Sequence, residues 1–217
     1  MPNSERSSGR RFDSEHGVTT HAVMLLSQLD DDRSGEAYAH VTHYEAVPVA
    51  DLRKMLACVP DAFVRDATFV DVGAGMGRAI LIASEYPFKQ ILGIELSPAL
   101  FEIARENVAR AHDLRTQCRD VRLTRGDARK RRFPTGNLVL FLFNPFDAAA
   151  LRTTLERVVA SRIARDAVYV LYHTPEHLGA LLEFGGEPVA GFSFGVISRL
   201  DAANRTTPSS ESGVRAE

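Results

Sequence analysis

The chain has 217 residues, of which 45% are hydrophobic and 25% charged, and its formal net charge is -2. This balance is typical of a globular protein with one large core, and it excludes a wholly disordered, collagenous or fibrous chain. No apolar run approaches the ~18 residues of a membrane span, so no membrane association is expected. The net charge disfavours nucleic acid as a partner, although seven basic residues between Arg119 and Arg132 leave that partner open.

The chain contains two cysteines, Cys58 and Cys118, and neither belongs to a CxxC pair. Their spacing predicts no cysteine-based zinc site, and we expect no metal. Two free thiols suit a reducing compartment. Arg10 and Arg11 precede acidic residues rather than the long apolar stretch of an export signal, so we expect a cytoplasmic protein. The sequence indicates no oligomeric state.

The two ends of the chain differ in composition from its middle. Residues 1–12 and 201–217 are polar with little to bury, and both are predicted to be disordered. Residues 13–60 are predicted to form a helical arm or lid, with short helices over Ala22–Leu29 and Val49–Val59. A single α/β domain is expected over residues 61–200.

Within that domain, short apolar runs alternate with amphipathic segments, which predicts βαβ units and a parallel sheet. The predicted strands are Ala67–Val72, Gln90–Glu95, Val121–Thr124, Leu138–Phe143 and Ala167–Tyr172, followed by two strands within Pro188–Leu200. The predicted helices are Gly77–Tyr86, one capped by Ser97 with Pro98 in its first turn, one capped by Asp147, and Pro175–Phe184.

The most specific pattern lies at the end of the first of these strands. The strand runs into three glycines, Gly73, Gly75 and Gly77, with Ala74 between the first two, and then into a helix. Glycines allow a sharp turn and the close approach of a ligand, and the helix start offers free N–H groups. In an open α/β sheet the ligand binds beyond the carboxyl ends of the strands, so we expect the site here.

The details of this loop distinguish between ligands. The dinucleotide fingerprint GxGxxG requires a third glycine where this chain has Arg78. Asp71 stands two residues before the first glycine, where its carboxylate would repel a pyrophosphate and attract an ammonium or a sulfonium. The pattern therefore points away from NAD and towards S-adenosylmethionine.

Two further acids fit this interpretation. Glu95 ends the second strand, where an acid accepts hydrogen bonds from ribose hydroxyls. Asp127 follows the third strand in Gly126-Asp127-Ala128, where a carboxylate can accept from an adenine amino group. The alternative is that the glycines form a tight turn and the acids are solvated caps.

The combination of DxGxGxG, an acid ending the next strand and GDA resembles class I S-adenosylmethionine-dependent methyltransferases, and more narrowly a group of small bacterial ones. The resemblance covers roughly residues 12 to 180. It implies a Rossmann-like seven-stranded sheet, mostly parallel, with the last strand antiparallel between strands 5 and 6 and helices on both faces. By resemblance, Asp71 and the Gly73–Gly77 loop hold the methionine end of the cofactor, Glu95 the ribose, Asp127 with Ala128 the adenine, and Tyr44 belongs to a lid over the cofactor.

The fourth strand ends in Asn144-Pro145-Phe146, where the methyl acceptor is expected. The Asn144 carbonyl can accept from an acceptor N–H, Pro145 stiffens the turn, and Phe146 can stack on a flat or alkyl group. This resembles the Asn/Asp-Pro-Pro-aromatic motif of amino-methylating enzymes without its second proline. We predict these three as catalytic residues, with Asn144 also contacting the cofactor. The alternative is a helix-initiating turn with a core phenylalanine.

We therefore expect a methyltransferase that acts on a nitrogen, and less readily on an oxygen, of an unidentified small-molecule or protein acceptor. A noncatalytic S-adenosylmethionine-binding module that senses the cofactor or assists a partner is the alternative. His173 ends the fifth strand, where the resembling group has a small apolar residue, and it is either a base or a satisfied structural residue.

Overall fold

The structure is a computed structural model that describes residues 3–25, 43–145 and 147–201. Its centre is a seven-stranded sheet in the order β5-β4-β3-β6-β7-β9-β8. The strands are β3 (Thr68–Val72), β4 (Gln90–Glu95), β5 (Val121–Arg125), β6 (Leu138–Phe143), β7 (Ala167–His173), β8 (Glu187–Phe192) and β9 (Gly195–Asp201). β9 pairs antiparallel with both of its neighbours, β7 and β8, whereas all the other pairings in this sheet are parallel. The predicted fold class is confirmed.

Seven α-helices are found within the described residues. They are α1 (Asn3–His16), α2 (Val49–Leu56), α3 (Asp61–Asp66), α4 (Arg78–Ser84), α5 (Pro98–Arg110), α6 (Ala148–Ala160) and α7 (Leu178–Leu182). The predicted caps hold: the Ser97 hydroxyl accepts from the N–H of Leu100, and the Asp147 carboxylate accepts from that of Ala150. Such caps satisfy N–H groups that the helix itself cannot pair.

The sheet is buried on both faces, and β6 shows why its sequence is apolar throughout. Its alternate side chains enter two separate cores: Val139 and Phe141 join the core with α2, α3 and α4, while Leu138, Leu140 and Leu142 join that with α6 and α7. A strand with period-2 alternation needs apolar residues at every position when both faces are covered.

The prediction of disorder over residues 1–12 is wrong from Asn3 onward, because α1 begins there. Phe12 of α1 is buried, and the guanidinium of Arg78 lies over its ring, 6.0 Å from the centroid. These contacts join residues far apart in sequence, so local composition does not reveal them.

The prediction of a helix over Ala22–Leu29 is also wrong. Strand β1 (Val23–Leu25) pairs antiparallel with β2 (His43–Glu45), and residues 26–42 lie outside the described part of the chain. The second predicted short helix, Val49–Val59, corresponds to α2 (Val49–Leu56). At the other end β9 extends to Asp201, and the rest of the predicted disordered tail, residues 202–217, lies outside the described residues.

The buried guanidinium of Arg78 ties the N-terminal arm to α4. Its Nε donates to the Thr20 hydroxyl at 2.7 Å, and an Nη lies 3.4 Å from the Asp13 carboxylate. Asp13 in turn accepts from the Thr20 hydroxyl at 2.6 Å and from the Thr20 N–H at 2.7 Å. The residue that breaks the dinucleotide fingerprint is therefore an anchor for the arm.

Asn107 of α5 makes a second tie. Its amide oxygen accepts from the Thr19 N–H at 2.9 Å, and its amide nitrogen donates to the Thr19 carbonyl and the Met76 carbonyl, each at 2.8 Å. Because Met76 lies in the glycine loop, one side chain connects the arm, α5 and that loop.

Candidate active site

A cavity of about 540 Å³ opens at the carboxyl ends of β3, β4, β6 and β7. Its wall includes most of the predicted site residues: Tyr44, Asp71, Gly73, Ala74, Gly75, Glu95, Asp127, Ala128, Asn144 and Pro145. Gly77 is not part of the wall, because it starts α4 behind the loop. Phe146 lies outside the described residues. The structure thus brings together residues spread over 102 positions, as expected for the edge of a parallel sheet.

The glycine loop needs its glycines for conformation and for contact. Gly75 has φ +53°, and a Cβ added to it would lie 2.2 Å from a ring carbon of Tyr44. Gly73 has φ +79°, and its added Cβ would lie 3.1 Å from that of Pro145. Positive φ is costly for residues with a Cβ. Both positions therefore favour glycine for two reasons, the backbone conformation and the close contact that a Cβ would make.

Tyr44 covers this loop from the arm. Its ring rests against Gly75, and its hydroxyl donates to the Thr20 carbonyl at 2.7 Å. Burial raises the pKa of the Tyr44 hydroxyl well above its usual range, so it stays neutral. The predicted lid residue is therefore locked in place by the same threonine that binds Arg78.

Glu95 fixes the shape of the loop. One of its carboxylate oxygens accepts from the Gly75 N–H and the other from the Ser97 N–H, both at 2.7 Å. Each carboxylate oxygen of Glu95 thus holds one backbone N–H at the wall of the cavity.

Asp71 is the most unusual group in the wall. Its residue is only 3% exposed, and no described residue hydrogen-bonds to its carboxylate. Burial, and then the charge of Glu95, raise the pKa of Asp71 to about 8. A buried carboxylate without a partner is costly, and an arriving cation would remove that cost. The cavity is therefore suited to a ligand that places a positive charge beside β3.

Asp127 begins the short 3₁₀ helix Ala128–Lys130 and binds its own neighbour. Its carboxylate accepts from the Arg129 guanidinium at 2.8 Å and from the Arg129 N–H at 2.9 Å. Burial acts to raise the pKa of Asp127, but the hydrogen bonds from Arg129 outweigh it and the pKa is lowered. An adenine amino group would share this carboxylate with Arg129.

On the acceptor side, Asn144 has φ +44°, which is rare for a residue with a side chain. Its Oδ1 accepts from the Tyr172 hydroxyl at 3.3 Å. This hydrogen bond orients the Asn144 amide.

Three residues after β7 also line the cavity and were missed by the sequence reasoning: Thr174, Glu176 and His177. They directly follow the strand that neighbours β6, so the rule that parallel strands end at one edge was a signal for them. The prediction placed the acceptor above β6 alone, whereas the wall is shared between two strands.

His173 itself does not line the cavity. It is buried, its Nε2 lies 3.3 Å from the Asp51 carboxylate, and its Nδ1 lies 3.0 Å from the Thr174 hydroxyl. Its ring stacks on Phe194 and meets Phe143 edge-on. Any contact between His173 and a ligand in the cavity runs through Thr174.

The basic segment is partly neutralised by its own surroundings. Arg122 pairs with Asp120 at 2.8 Å, Arg129 pairs with Asp127, and Arg131 donates to the Arg125 carbonyl. These contacts favour a solvated edge over a phosphate-binding surface. Among the helices in the described ranges, none is long and apolar enough to cross a membrane.

We predict that Gly75→Ala destabilises the protein far more than Gly136→Ala. Both positions have positive φ, +53° and +86°, but an added Cβ meets the Tyr44 ring at Gly75 and nothing within 4 Å at Gly136. Gly136→Ala should cost only the strain of about 1–2 kcal/mol, whereas Gly75→Ala should cost about 1–3 kcal/mol more. Urea unfolding of both variants measures the difference. Equal losses would show that the Tyr44 ring does not rest on the loop.

We also predict that Asp71 makes the unliganded fold less stable as the pH rises. The pKa is raised to about 8 in the fold, above an unfolded value near ~3.9, so the folded state binds more protons across this window. Stability should fall as the pH rises through the window and level off above it. Relative to wild type, Asp71→Asn should gain stability progressively from about pH 5 to pH 8.

Asp120→Asn is the matched control for this pH series. Asp120 is exposed, and its hydrogen bond from Arg122 lowers its pKa, so its titration lies below the window. Urea unfolding at each pH should give a constant difference for Asp120→Asn. A constant difference for Asp71→Asn as well would contradict the raised pKa.

Comparison with known proteins agrees with the fold. Residues 70–171 match a family model described as "Methyltransferase domain". A release factor glutamine methyltransferase of Vibrio cholerae is 38% identical over 66 residues, which cover 30% of this chain and 23% of that protein. The match thus spans less than a quarter of that relative's length.

Solved structures share the fold at low sequence identity. The N-methyltransferase NodS of Bradyrhizobium japonicum, in complex with S-adenosylhomocysteine, has a TM-score of 0.51 at 11% identity, covering 70% of this chain and 85% of that one. A ribosomal protein L11 methylase of Lactobacillus delbrueckii has a TM-score of 0.50 at 17% identity, covering 70% and 79%. With the glycine loop, the strand order and the family match taken together, the chain carries a class I S-adenosylmethionine-dependent methyltransferase domain.

Proposed function

We propose that this chain transfers the methyl group of S-adenosylmethionine to a nitrogen of a small-molecule or protein acceptor. The observation that carries the proposal is the buried Asp71 carboxyl beneath the glycine loop, to which no group among the described residues hydrogen-bonds. An ammonium group is the complement that this carboxylate lacks, and a pyrophosphate is not.

The other predicted contacts with the cofactor extend from this point across the sheet. The Gly73–Gly77 loop allows its backbone to approach the methionine end of the cofactor closely. Tyr44, which belongs to the arm, covers that end. The Glu95 carboxylate at the end of β4 is proposed to hold the ribose hydroxyls. Asp127 and the Ala128 backbone are proposed to hold the adenine, with Asn144 touching the cofactor from the side of β6.

When bound, the cofactor supplies a methyl group already activated on a sulfonium. The chain's own residues then need to position the acceptor and exclude water. Pro145, which lies against Gly73, fixes the distance between the cofactor loop and the end of β6. Asn144, fixed by Tyr172, offers the remaining acceptor capacity of its Oδ1 to an N–H of the substrate.

This hydrogen-bond geometry favours nitrogen over oxygen as the acceptor atom. An amine or amide that is methylated can keep a second N–H on the Asn144 carbonyl, whereas a hydroxyl loses its only proton. The names of the structural relatives do not select an acceptor, because they include an N-methyltransferase and a ribosomal protein methylase. The complete acceptor-side wall favours an enzyme over a noncatalytic cofactor-binding module. Two free thiols support the proposal that the protein acts in the cytoplasm.

Binding of S-adenosylhomocysteine tests the cofactor assignment. Asp71 is largely protonated at pH 7, because its pKa is about 8, and an ammonium ligand requires its ionised form. Calorimetry in two buffers of different ionisation enthalpy should therefore show release of about one proton per ligand at pH 7. Affinity should rise from pH 6 to pH 7.5, and Asp71→Asn should lose both effects while Asp120→Asn keeps them. Binding of NAD with no response to S-adenosylhomocysteine would rule the proposal out.

The assignment of Asn144 to the acceptor predicts a separation of binding from turnover. Asn144→Ala should leave S-adenosylhomocysteine affinity within a few-fold of wild type and lower methyl transfer about 100-fold, since a misplacement of ~1 Å can cost that much. Tyr172→Phe should give the same pattern more weakly, because it removes only the hydroxyl that orients the amide. Transfer of labelled methyl into a cell-extract fraction measures turnover. Loss of S-adenosylhomocysteine binding in Asn144→Ala would place the residue in the cofactor site instead.

A further inference from the structure

A second hydrogen-bonded chain runs away from the cavity on the opposite side of β7. The Thr174 hydroxyl lies 3.0 Å from His173 Nδ1, and His173 Nε2 lies 3.3 Å from the Asp51 carboxylate. Thr174 lines the cavity and is exposed, whereas His173 is buried. The three groups therefore lead from the cavity into the protein.

The sequence of hydroxyl, imidazole and carboxylate determines which group donates and which accepts in each hydrogen bond. A carboxylate can only accept, so Nε2 carries the imidazole proton and donates to Asp51. Neutral imidazole then has its lone pair on Nδ1, which accepts from the Thr174 hydroxyl. A hydroxyl whose proton is held in this way has its own lone pairs available for a proton from the cavity. The same logic of carboxylate, imidazole and hydroxyl operates in hydrolases, although no nucleophilic step is needed here.

Strand register places this chain beside Asn144. His173 is paired with Phe143 in the parallel β6–β7 ladder, so the next residues, Thr174 and Asn144, lie side by side at the edge. Both have positive φ, +48° and +44°, and both line the cavity. The Thr174 N–H donates to the Phe194 carbonyl at 2.8 Å, which helps to hold this conformation. Strained backbone of this kind persists where the surrounding structure over-determines it, and it is frequent at active sites.

We propose that Thr174 is a catalytic residue that accepts the proton released by the methyl acceptor, and that His173 and Asp51 are its positioning residues. The proposal rests on the methyl-transfer function proposed above and deepens it. It assigns to the acceptor a group that must lose a proton on methylation, an N–H or O–H, and excludes acceptors such as thioethers and tertiary amines.

The proton balance of the step is complete without another reactant. Methylation forms one bond from the acceptor atom to the methyl carbon and breaks the methyl–sulfur bond, whose electron pair stays on sulfur. The acceptor proton passes to the Thr174 oxygen as the hydroxyl proton passes to His173 Nδ1. The resulting imidazolium is paired with the Asp51 carboxylate, and after product release its proton returns through the Thr174 hydroxyl to solvent in the cavity.

The groups around the imidazole in the described residues come from several neighbouring elements. Asp51 faces the imidazole from α2, and Lys54 on the same helix lies against the Phe194 ring at 5.7 Å rather than on the imidazole. Phe143 and Phe194 enclose the ring, and Glu176 and His177 follow on the next loop at the cavity wall. A carboxylate is thus the ion partner of the ring, which favours the charged form during transfer.

The first test compares Thr174→Val, which removes the hydroxyl, with Thr174→Ser, which keeps it, and with Thr116→Val at an exposed position away from the cavity. The readout is labelled methyl transfer from S-adenosylmethionine into one extract fraction that the wild type labels. Thr174→Val should lower the turnover about 10²- to 10⁴-fold, the range for general acid–base groups. Thr174→Ser should restore most of it, Thr116→Val should match wild type, and S-adenosylhomocysteine affinity should be unchanged in all three. Wild-type turnover in Thr174→Val would overturn the proposal.

The pH dependence separates a relay from a merely structural role. In wild type the turnover per active site should fall on the acid side as His173 becomes protonated, and His173→Gln should be slower and lack that limb. A retained acid limb in a folded His173→Gln variant would overturn the relay.

A third readout needs neither cofactor nor acceptor. Long-range ¹⁵N NMR on the unliganded protein should show the His173 proton on Nε2, with Nδ1 unprotonated. The opposite tautomer would make Thr174 an acceptor and would overturn the proposal. Failure of the parent function is distinguishable, because a wild-type protein that neither binds S-adenosylhomocysteine nor labels any fraction would refute methyl transfer itself.

Discussion

A carboxyl group buried at the end of β3 is the constraint on which the site depends. Asp71 is placed there by the central strand of the sheet, with Glu95 of the neighbouring strand close enough to oppose its ionisation. Glu95 is satisfied by two backbone N–H groups, whereas Asp71 is left without a hydrogen bond from the described residues. The cost of ionising this buried carboxyl destabilises the unliganded fold, and a bound cation removes it. Asp71 therefore affects both the stability of the domain and its affinity for the cofactor.

The arm extends this constraint to the surface of the molecule. Tyr44 closes the glycine loop by resting on Gly75, and its hydroxyl is held by the backbone of Thr20. Thr20 is in turn bound by Arg78, the first residue of the helix that begins at the loop. The glycine loop, Tyr44 and the arm are therefore connected by contacts that return to the loop through Arg78. A shift of any one of them would alter the packing around the proposed site of the cofactor's methionine end. These contacts explain why an arginine can stand where a dinucleotide-binding loop needs a glycine.

Sequence reasoning succeeded where the determinants are local and failed where they are distant. A few adjacent residues determine each of three features: strand β3, which contains Asp71, the glycine loop and the Ser97 cap. The strand order follows from the family resemblance that those residues carry. Residues 3–12 were mistaken for disorder because their polar composition conceals the burial of Phe12 against Arg78. The partner of His173 could not be found from the sequence, since Asp51 lies 122 residues away on a helix whose docking only the fold determines.

The ends of β6 and β7 show how one edge can support two different functions. Asn144 and Thr174 occupy matching positions. Each is hydrogen-bonded to one of the last two residues of β7, Asn144 to Tyr172 and Thr174 to His173. Because neighbouring side chains of a strand point to opposite faces, Tyr172 reaches Asn144 from the face covered by α6 and α7, while His173 reaches Asp51 of α2 on the other. An amide that orients the acceptor and a hydroxyl that takes its proton can thus stand side by side without sharing a hydrogen-bond partner. The two hydrogen-bond networks are separated because successive side chains of β7 point to opposite faces of the sheet.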